Sequence, residues 1–444
     1  MFYQLKQYST KLIDCRSRLG FEQGLSLRGS SGNIGVSLAA LGFLAVAVSW
    51  QPASAETFVD ASTNSLSQIC SVKNGTAFTD DLGNTFIPNV GAQLQFICNQ
   101  IANGNNGQPA SSGVGTQSQP NSLLISQQQL KDTQTKKETE GRHSSADVVA
   151  ANWGRFSTFL TTGATTLHHR NNEFEQGYTA TIPSATLGGG YLISNNLETG
   201  LAFNYSNSNA SNNTGGGFNV DSYTPLLYIN YLPFNHAFAN LVLGYTRQNQ
   251  TNNRIAVANK IPNGSNPGQE PSFNLNTRGN LNANQYSLNF LSGYDHPVEN
   301  LTIGPRFGVD VRQWEMSGYQ ESTNTGLELR YNSQYQTSIQ STLGLAVSSA
   351  HRFTYGVLVP QLSASWVHEY ANNSRTINAK FVQAPDSNAF SFQTENPARN
   401  WAVINLGASF LMQKGVQVFA NLSTVQGNRN FESYGGNVGV RVGW

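Results

Sequence analysis

The sequence has 444 residues, with 26 Lys and Arg against 25 Asp and Glu, so the formal net charge is +1. Charged residues make up only 11% of the chain and hydrophobic residues 38%, below the roughly 25% and 45–50% of ordinary soluble domains. The mean hydropathy of -0.35 excludes a bundle of transmembrane helices, which needs repeated apolar runs of about 20 residues. The charge balance gives no basic surface for nucleic acid, so we expect no nucleic-acid partner.

The N-terminal region has the pattern of a secretory leader. Positive residues precede an apolar run over residues 34–50, and Ala53-Ser54-Ala55 follows that run. This order predicts a signal peptide over residues 1–55, with Ala53 and Ala55 forming the cleavage site. A membrane anchor is the alternative, because the run approaches spanning length. The small-residue cleavage site favours export and removal of the leader.

Two cysteines, Cys70 and Cys98, remain once the leader is removed. In an exported chain such a pair predicts one disulfide, which we expect to staple a small unit over residues 56–102. Metal binding by this pair alone is not expected, because partners at ligand spacing are missing nearby. Residues 103–152 are predicted to form a low-complexity linker and a helix-permissive stretch.

From Trp153 onward, apolar and polar residues alternate with a period of two, which is typical of β-strands. Twelve such segments lie near residues 154–162, 182–193, 197–206, 221–232, 237–249, 282–296, 301–312, 335–347, 357–369, 400–412, 416–425 and 437–444. The face opposite the apolar residues carries mostly Gly, Ser, Thr, Asn and Gln. That composition favours a wet lumen behind a lipid-facing wall over the core of a soluble sheet.

The connections between these segments alternate in length. Short turns are predicted near residues 194–196, 233–235, 297–299 and 413–415, and longer loops over 162–178, 207–219, 251–278 and 371–395. Aromatic residues fall at or near the strand ends: Tyr191, Tyr205, Tyr231, Tyr245, Tyr294, Tyr370 and Trp444. Outer-membrane barrels have short periplasmic turns, long outer loops and aromatic girdles. We therefore predict an all-β fold, a twelve-stranded antiparallel transmembrane β-barrel over residues 153–444 with an N-terminal helical and linker segment.

The region from Trp153 to Trp444 resembles the β-domain of autotransporters. Similar stretches include TLGGGYLISNNLETGLAFNYSNS, IGPRFGVDVRQWEMSGYQES and the terminal GGNVGVRVGW. The resemblance implies a Gram-negative outer-membrane barrel that translocates or anchors its own N-terminal segment without a cofactor. It also implies the barrel-assembly machinery and periplasmic chaperones as partners, besides outer-membrane lipid; we expect a monomer. By this resemblance, the signal that the barrel-assembly machinery recognises is expected to consist of Val438, Val440, Val442 and Trp444.

Autotransporters also thread a helix through the pore before the first strand, and the resemblance gives this role to residues 122–151. The chain departs from typical members in one respect. Only about 90 residues separate Ala55 from the barrel, and they lack the repeats of a solenoid passenger. A large secreted or enzymatic passenger is therefore not expected, and self-cleavage is not expected because the helix region lacks a paired-Asn motif.

Candidate catalytic groups are few, since the chain has only seven His. His168 and His169 fall in the predicted first long loop beside Glu173, where a metal or acid–base site and a solvated loop are the alternatives; the solvated loop is favoured. His368 and Glu369 fall on a strand, and one of them is expected to face the lumen and form structural hydrogen bonds. The chain has no G-x-S-x-G nucleophile elbow, and we predict neither a catalytic residue nor a cofactor.

Four charged residues fall on the predicted lumen face, namely Arg306, Asp310, Arg312 and Arg441. They could select ions in an open channel or brace the barrel wall, and bracing is favoured because a barrel plugged by its own linker conducts poorly. Two other functions stay open. A small porin predicts ion conductance that rises when residues 56–150 are deleted, and an outer-membrane hydrolase predicts activity that is lost when His368 or His169 is changed to Ala.

Overall fold

The alternating segments form the wall of an antiparallel barrel. The computed structural model describes residues 57–73, 78–79, 85–86, 94, 109–111, 155–213, 215–234, 236–258, 273–299, 301–323, 326–385, 387–412 and 415–444. The predicted signal peptide with Ala53 and Ala55, Cys98, and the candidate pore helix over 122–151 lie outside these residues. The cleavage site, the disulfide and the threaded helix therefore stay predictions, as do the domain boundaries.

Within the described residues, twelve antiparallel strands close into a barrel. They are β1 Phe156–His169, β2 Tyr178–Ser194, β3 Leu197–Asn212, β4 Gly217–Tyr231, β5 Ala237–Ala258, β6 Phe273–Tyr294, β7 Leu301–Met316, β8 Gln334–Ser349, β9 Gly356–Glu369, β10 Asn400–Met412, β11 Val416–Gln426 and β12 Phe431–Gly443. Each strand pairs with the next along the chain. The barrel closes because β12 pairs with β1, with Val438 opposite Thr162. The predicted fold class is confirmed.

The period of two places the apolar side chains on the outside of the barrel. In β12, Val438 is 54% exposed, whereas Asn437 and Arg441 on the opposite face are buried. In β3, Leu201 is 68% exposed, while Asn204 is buried. A soluble sheet would turn these apolar residues inward, so the exposed apolar face is the one that contacts lipid.

Outward-facing aromatic residues form two groups along the barrel. The group near the short turns includes Phe156, Tyr191, Tyr231, Tyr294 and Trp444, and the group toward the long loops includes Tyr205, Tyr223, Tyr245, Tyr286 and Tyr370. In the second group the rings of Tyr205 and Tyr223 lie 5.3 Å apart. Beyond it the outward face becomes polar, as at Arg247, whose Nη1 donates to Asn284 at 2.8 Å. The two groups mark the two lipid–water interfaces.

Two predicted loops are shorter than expected. β1 continues to His169, so the first long loop covers only residues 170–177, and His168 and His169 belong to a strand. β5 and β6 are 22 residues each, so their hairpin extends past the predicted loop start at Thr251. The alternation of apolar and polar residues fades where the strands leave the lipid, because both faces are then polar. The sequence pattern therefore ends before the strands do.

A smaller sheet, here called the outer sheet, is formed by two long loops. Its four strands are Tyr319–Gln320, Leu329–Tyr331, Thr376–Phe381 and Phe390–Gln393. The other short strands are Phe78–Thr79 with Thr85–Phe86, Pro109–Ser111 on the end of β5, His296–Val298 on β7 and His351–Phe353 on β9. The outer sheet lies at the long-loop end of the barrel, because its strands belong to the β7–β8 and β9–β10 connections.

One helix, α1, spans Phe58–Lys73. Thr57 caps its first turn, because its Oγ1 accepts a hydrogen bond from the Asp60 amide at 3.2 Å. Phe58, Leu66 and Ile69 are buried, at helical spacing on one face. No helix in the described ranges is long and apolar enough to cross a membrane.

Candidate functional site: the barrel lumen and its outer mouth

The mouth at the long-loop end contains the largest apolar cluster of the described residues. Buried side chains from α1 and the outer sheet join buried side chains from the ends of β6 and β7, such as Leu281 and Trp314. The Phe58 ring of α1 meets the Phe392 ring edge-on, with centroids 4.9 Å apart. Leu94 belongs to the same cluster, and its amide donates to Gln383 Oε1 at 3.3 Å. We call α1 together with the outer sheet the outer cap.

A buried ion pair fixes the outer cap to the barrel wall. Arg254 on β5 donates through Nε and Nη2 to the two carboxylate oxygens of Glu321, at 3.0 and 2.6 Å. Arg254 Nη2 also donates to the Leu327 carbonyl at 2.6 Å, and Glu321 accepts from the Leu329 amide at 2.9 Å. The two parallel hydrogen bonds of a bidentate pair fix the orientation of the guanidinium and the carboxylate. The pair therefore holds the start of the β7–β8 loop against β5.

The two ends of the described chain lie at opposite ends of the barrel. α1 contacts the outer sheet at the long-loop end, and Pro109–Ser111 pairs with Ala256–Ala258 at the same end. Phe156 begins β1 at the short-turn end, where it exchanges backbone hydrogen bonds of 3.1 and 3.0 Å with Trp444. α1 and Pro109–Ser111 therefore lie at the end of the barrel opposite the start of β1.

The four predicted lumen charges are all buried inside the barrel. Arg306 Nη2 lies 2.5 Å from Asp295 Oδ1, and Arg312 Nη2 lies 2.5 Å from Asp310 Oδ1. Arg441 Nη2 lies 3.1 Å from Glu198 Oε1, and both of these side chains also contact Ser157 Oγ.

The sequence did not reveal Asp295 or Glu198 as ion-pair partners. Asp295 directly follows β6 and meets Arg306 on β7, while Glu198 on β3 meets Arg441 on β12. Contacts between separate segments leave no periodic signal in either one. Alternation alone gives the face on which a residue lies. It does not give the neighbour that the residue meets there.

The proposed assembly residues lie on the lipid-facing side of the last strand. Val438, Val440 and Trp444 are exposed, and Val442 is half-buried. Their strand is the one that completes the barrel through its pairing with β1. Recognition of these residues by the assembly machinery stays a prediction.

The family to which these features point is settled by the sequence. The autotransporter beta-domain family model matches residues 158–423, which is more than half of the chain. This chain belongs to the autotransporter β-domain family. Its barrel is therefore of the Gram-negative outer-membrane type, as predicted.

A solved autotransporter barrel has a similar fold. The translocator domain of NalP from Neisseria meningitidis is 15% identical with a TM-score of 0.51, covering 71% of this chain and 98% of that chain. The beta domain of the Bordetella autotransporter Brka is 14% identical with a TM-score of 0.46, covering 66% of this chain and 100% of that chain. A comparison with curated protein sequences finds no match. At such identities the NalP likeness supports the fold alone.

The remaining candidate residues of this β-domain are two adjacent pairs on strand ends. Glu369 faces the lumen and accepts from Ser338 Oγ at 2.6 Å and from the Ile339 amide at 2.9 Å, while His368 is half-buried on the opposite face of the strand. His168 is exposed, but His169 is buried, so the interpretation of His169 as part of a solvated loop is wrong. The reason is that β1 continues to His169, and the alternation of side chains along the strand turns His169 toward the inside of the barrel.

Proposed function

We propose that this autotransporter β-domain translocates its own short N-terminal segment to the cell surface and anchors it there as the outer cap. The observation that carries the proposal is the position of α1 at the long-loop end, opposite the start of β1. Long loops of outer-membrane barrels face outside, so this end is the cell surface. A segment that precedes the barrel in the chain has reached the far side of the membrane.

Burial of the N-terminal segment supplies a driving force that needs neither a cofactor nor ATP. Phe58, Leu66 and Ile69 each lose nearly all of their exposure in the outer cap. Burying a side chain of this size contributes about 1.5–3 kcal/mol. Packing against the outer sheet therefore makes return to the periplasm unfavourable, which suits a segment that stays attached.

The ion pairs formed by the lumen charges support a non-enzymatic role. Arg306, Arg312 and Arg441 each form an ion pair within the wall, as bracing residues do. The outer cap argues against an open porin, because its apolar core lies at the mouth. Export through a cleaved signal peptide, handling by periplasmic chaperones, insertion by the barrel-assembly machinery and a monomeric state complete the proposal.

Protease treatment of intact cells tests this arrangement. We expect an epitope inserted after Glu56 to be removed by added proteinase K, because α1 lies at the surface. The matched control is the same epitope inserted between Asn195 and Asn196 in the β2–β3 turn, which should resist protease until the outer membrane is permeabilised. An N-terminal epitope that is as protected as the turn epitope would contradict the proposal.

A further inference from the structure

A buried group of one imidazole and two carboxylates lies where the first outer loop meets the β9–β10 loop. His169 ends β1, Glu175 lies in the first outer loop, and Glu395 precedes β10. One ligand-type atom of each side chain lies within 4.8 Å of the other two. The group lies outside the lipid: Thr162 is level with Tyr205 of the second aromatic group through the pairings of β1, β2 and β3, and His169 lies beyond Thr162 on β1.

The ligand-type atoms of this group lie close together. His169 Nε2 is hydrogen-bonded to Glu395 Oε1 at 2.7 Å and lies 3.8 Å from Glu175 Oε2. A metal ion would take the place of the proton in this hydrogen bond. The side chains of His169 and Glu175 are 0% and 1% exposed. The His169 ring stacks on Tyr178, with centroids 4.8 Å apart and an interplanar angle of 3°, which restrains the plane of the imidazole.

One carboxylate oxygen of Glu175 is available as a ligand. Glu175 Oε2 is buried and has no hydrogen-bond partner in the described part of the chain. Burial, and next the neighbouring carboxylate of Glu395, raise the pKa of Glu175 well above its usual range. A buried carboxylate beside a second one is unfavourable unless a proton or a cation offsets the charge.

We propose that His169, Glu175 and Glu395 bind one divalent transition-metal ion, with Zn²⁺ as the best-suited probe. One imidazole nitrogen and two carboxylate oxygens are ligands that Zn²⁺ accepts at about 2.0–2.2 Å. Ca²⁺ and Mg²⁺ prefer ligand sets made only of oxygen atoms, so the imidazole nitrogen of His169 favours a transition metal over either ion. A cavity lined by these three residues lies beside them and leaves room for water as a further ligand.

Arg375 competes with the ion. Its guanidinium interacts electrostatically with Glu175, and burial lowers the pKa of Arg375 to about 10. Arg375 Nη1 also donates to Gln334 Oε1 at 3.1 Å, so the side chain has a second partner to hold it when a metal takes Glu175. An Arg375→Gln variant should therefore bind Zn²⁺ more tightly than the wild type.

The ion would link the first outer loop to the β9–β10 loop, which lie on either side of the short β11–β12 connection. The β11–β12 connection is short, and the β9–β10 loop lies across it, since Arg429 Nη2 and Asn430 Nδ2 both donate to the Asn396 carbonyl at 3.0 Å. Glu395, next to Asn396, then meets His169 on the far side. A metal at this point makes the closed position of the β9–β10 loop depend on the cation.

Metal analysis of the refolded full-length barrel tests the proposal. After loading with Zn²⁺ and dialysis, the wild type is expected to retain one Zn²⁺ per chain, and added Zn²⁺ should raise its thermal unfolding temperature by mass action. His169→Gln, Glu175→Gln and Glu395→Gln should each weaken binding by more than the roughly 10–100-fold that loss of an outer-shell partner costs.

Two neighbouring substitutions serve as matched controls. His168→Gln and Glu173→Gln remove the same chemical groups from exposed positions in the same segment, and both should retain the full Zn²⁺ content. Absence of stoichiometric Zn²⁺ in the wild type would overturn the proposal, whether or not the variants fold. So would a Zn²⁺ content that falls in the His168→Gln control as much as in His169→Gln, because the ion would then sit on exposed side chains.

Discussion

A Val438→Arg substitution is expected to lower the free energy of unfolding of the barrel by about 2–4 kcal/mol, the usual effect of a basic residue on the lipid face near the bilayer midplane. Val438 lies near the middle of β12, is 54% exposed and pairs with Thr162 of β1. The guanidinium would lie in hydrocarbon at the seam that closes the barrel. Denaturant unfolding of the protein refolded into lipid bilayers measures the loss.

The matched control is Val298→Arg. Val298 is 44% exposed but lies in the short β6–β7 turn, at the water-facing edge of the barrel. There the same change should cost about 0–1 kcal/mol. Equal losses at the two positions would mean that the exposed valine face of β12 does not contact lipid.

An Arg441→Met substitution is expected to destabilise the barrel by about 3–5 kcal/mol, because it leaves the Glu198 carboxylate buried without its ion-pair partner. The guanidinium of Arg441 lies 3.1 Å from Glu198 and 2.9 Å from Ser157 Oγ, so one side chain on β12 links β1 and β3 across the closing seam. Chemical unfolding in detergent or bilayers measures the effect.

Two variants show whether the pairing itself is the cause. The double variant Arg441→Met, Glu198→Leu should recover much of the lost stability, since neither charge then remains buried. Arg170→Met removes one partner of the exposed Arg170–Glu432 pair and should change stability by no more than about 1 kcal/mol. A double variant as unstable as the single one would contradict the bracing role.

The wall of the barrel was predictable because lipid imposes a simple rule on it. Each strand must turn apolar residues outward and small or polar residues inward, and residues such as Val438 and Asn437 show that rule directly. The same period of two placed Arg306 and Arg441 on the lumen face. Strand number, loop asymmetry and the aromatic ends then predicted an outer-membrane barrel, and similar sequence stretches pointed to the family.

The outer mouth was not predictable, because no periodic rule acts beyond the lipid. The extensions of β5 and β6, the outer sheet and the burial of His169 all depend on contacts between loops far apart in the sequence. Glu395 meets His169 only because the β9–β10 loop crosses the short β11–β12 connection. Such contacts depend on three-dimensional packing rather than on local pattern.

Surface labelling of α1 with a large maleimide–polyethylene glycol reagent tests the central claim most directly. In a chain with Cys15, Cys70 and Cys98 changed to Ser, a cysteine replacing the exposed Asn64 of α1 is expected to react in intact cells as fully as one replacing Glu173 in the first outer loop. A cysteine replacing Asn195 in the β2–β3 turn should react only after the outer membrane is permeabilised. If the Asn64→Cys variant instead behaves like Asn195→Cys, the N-terminal segment is not carried to the surface.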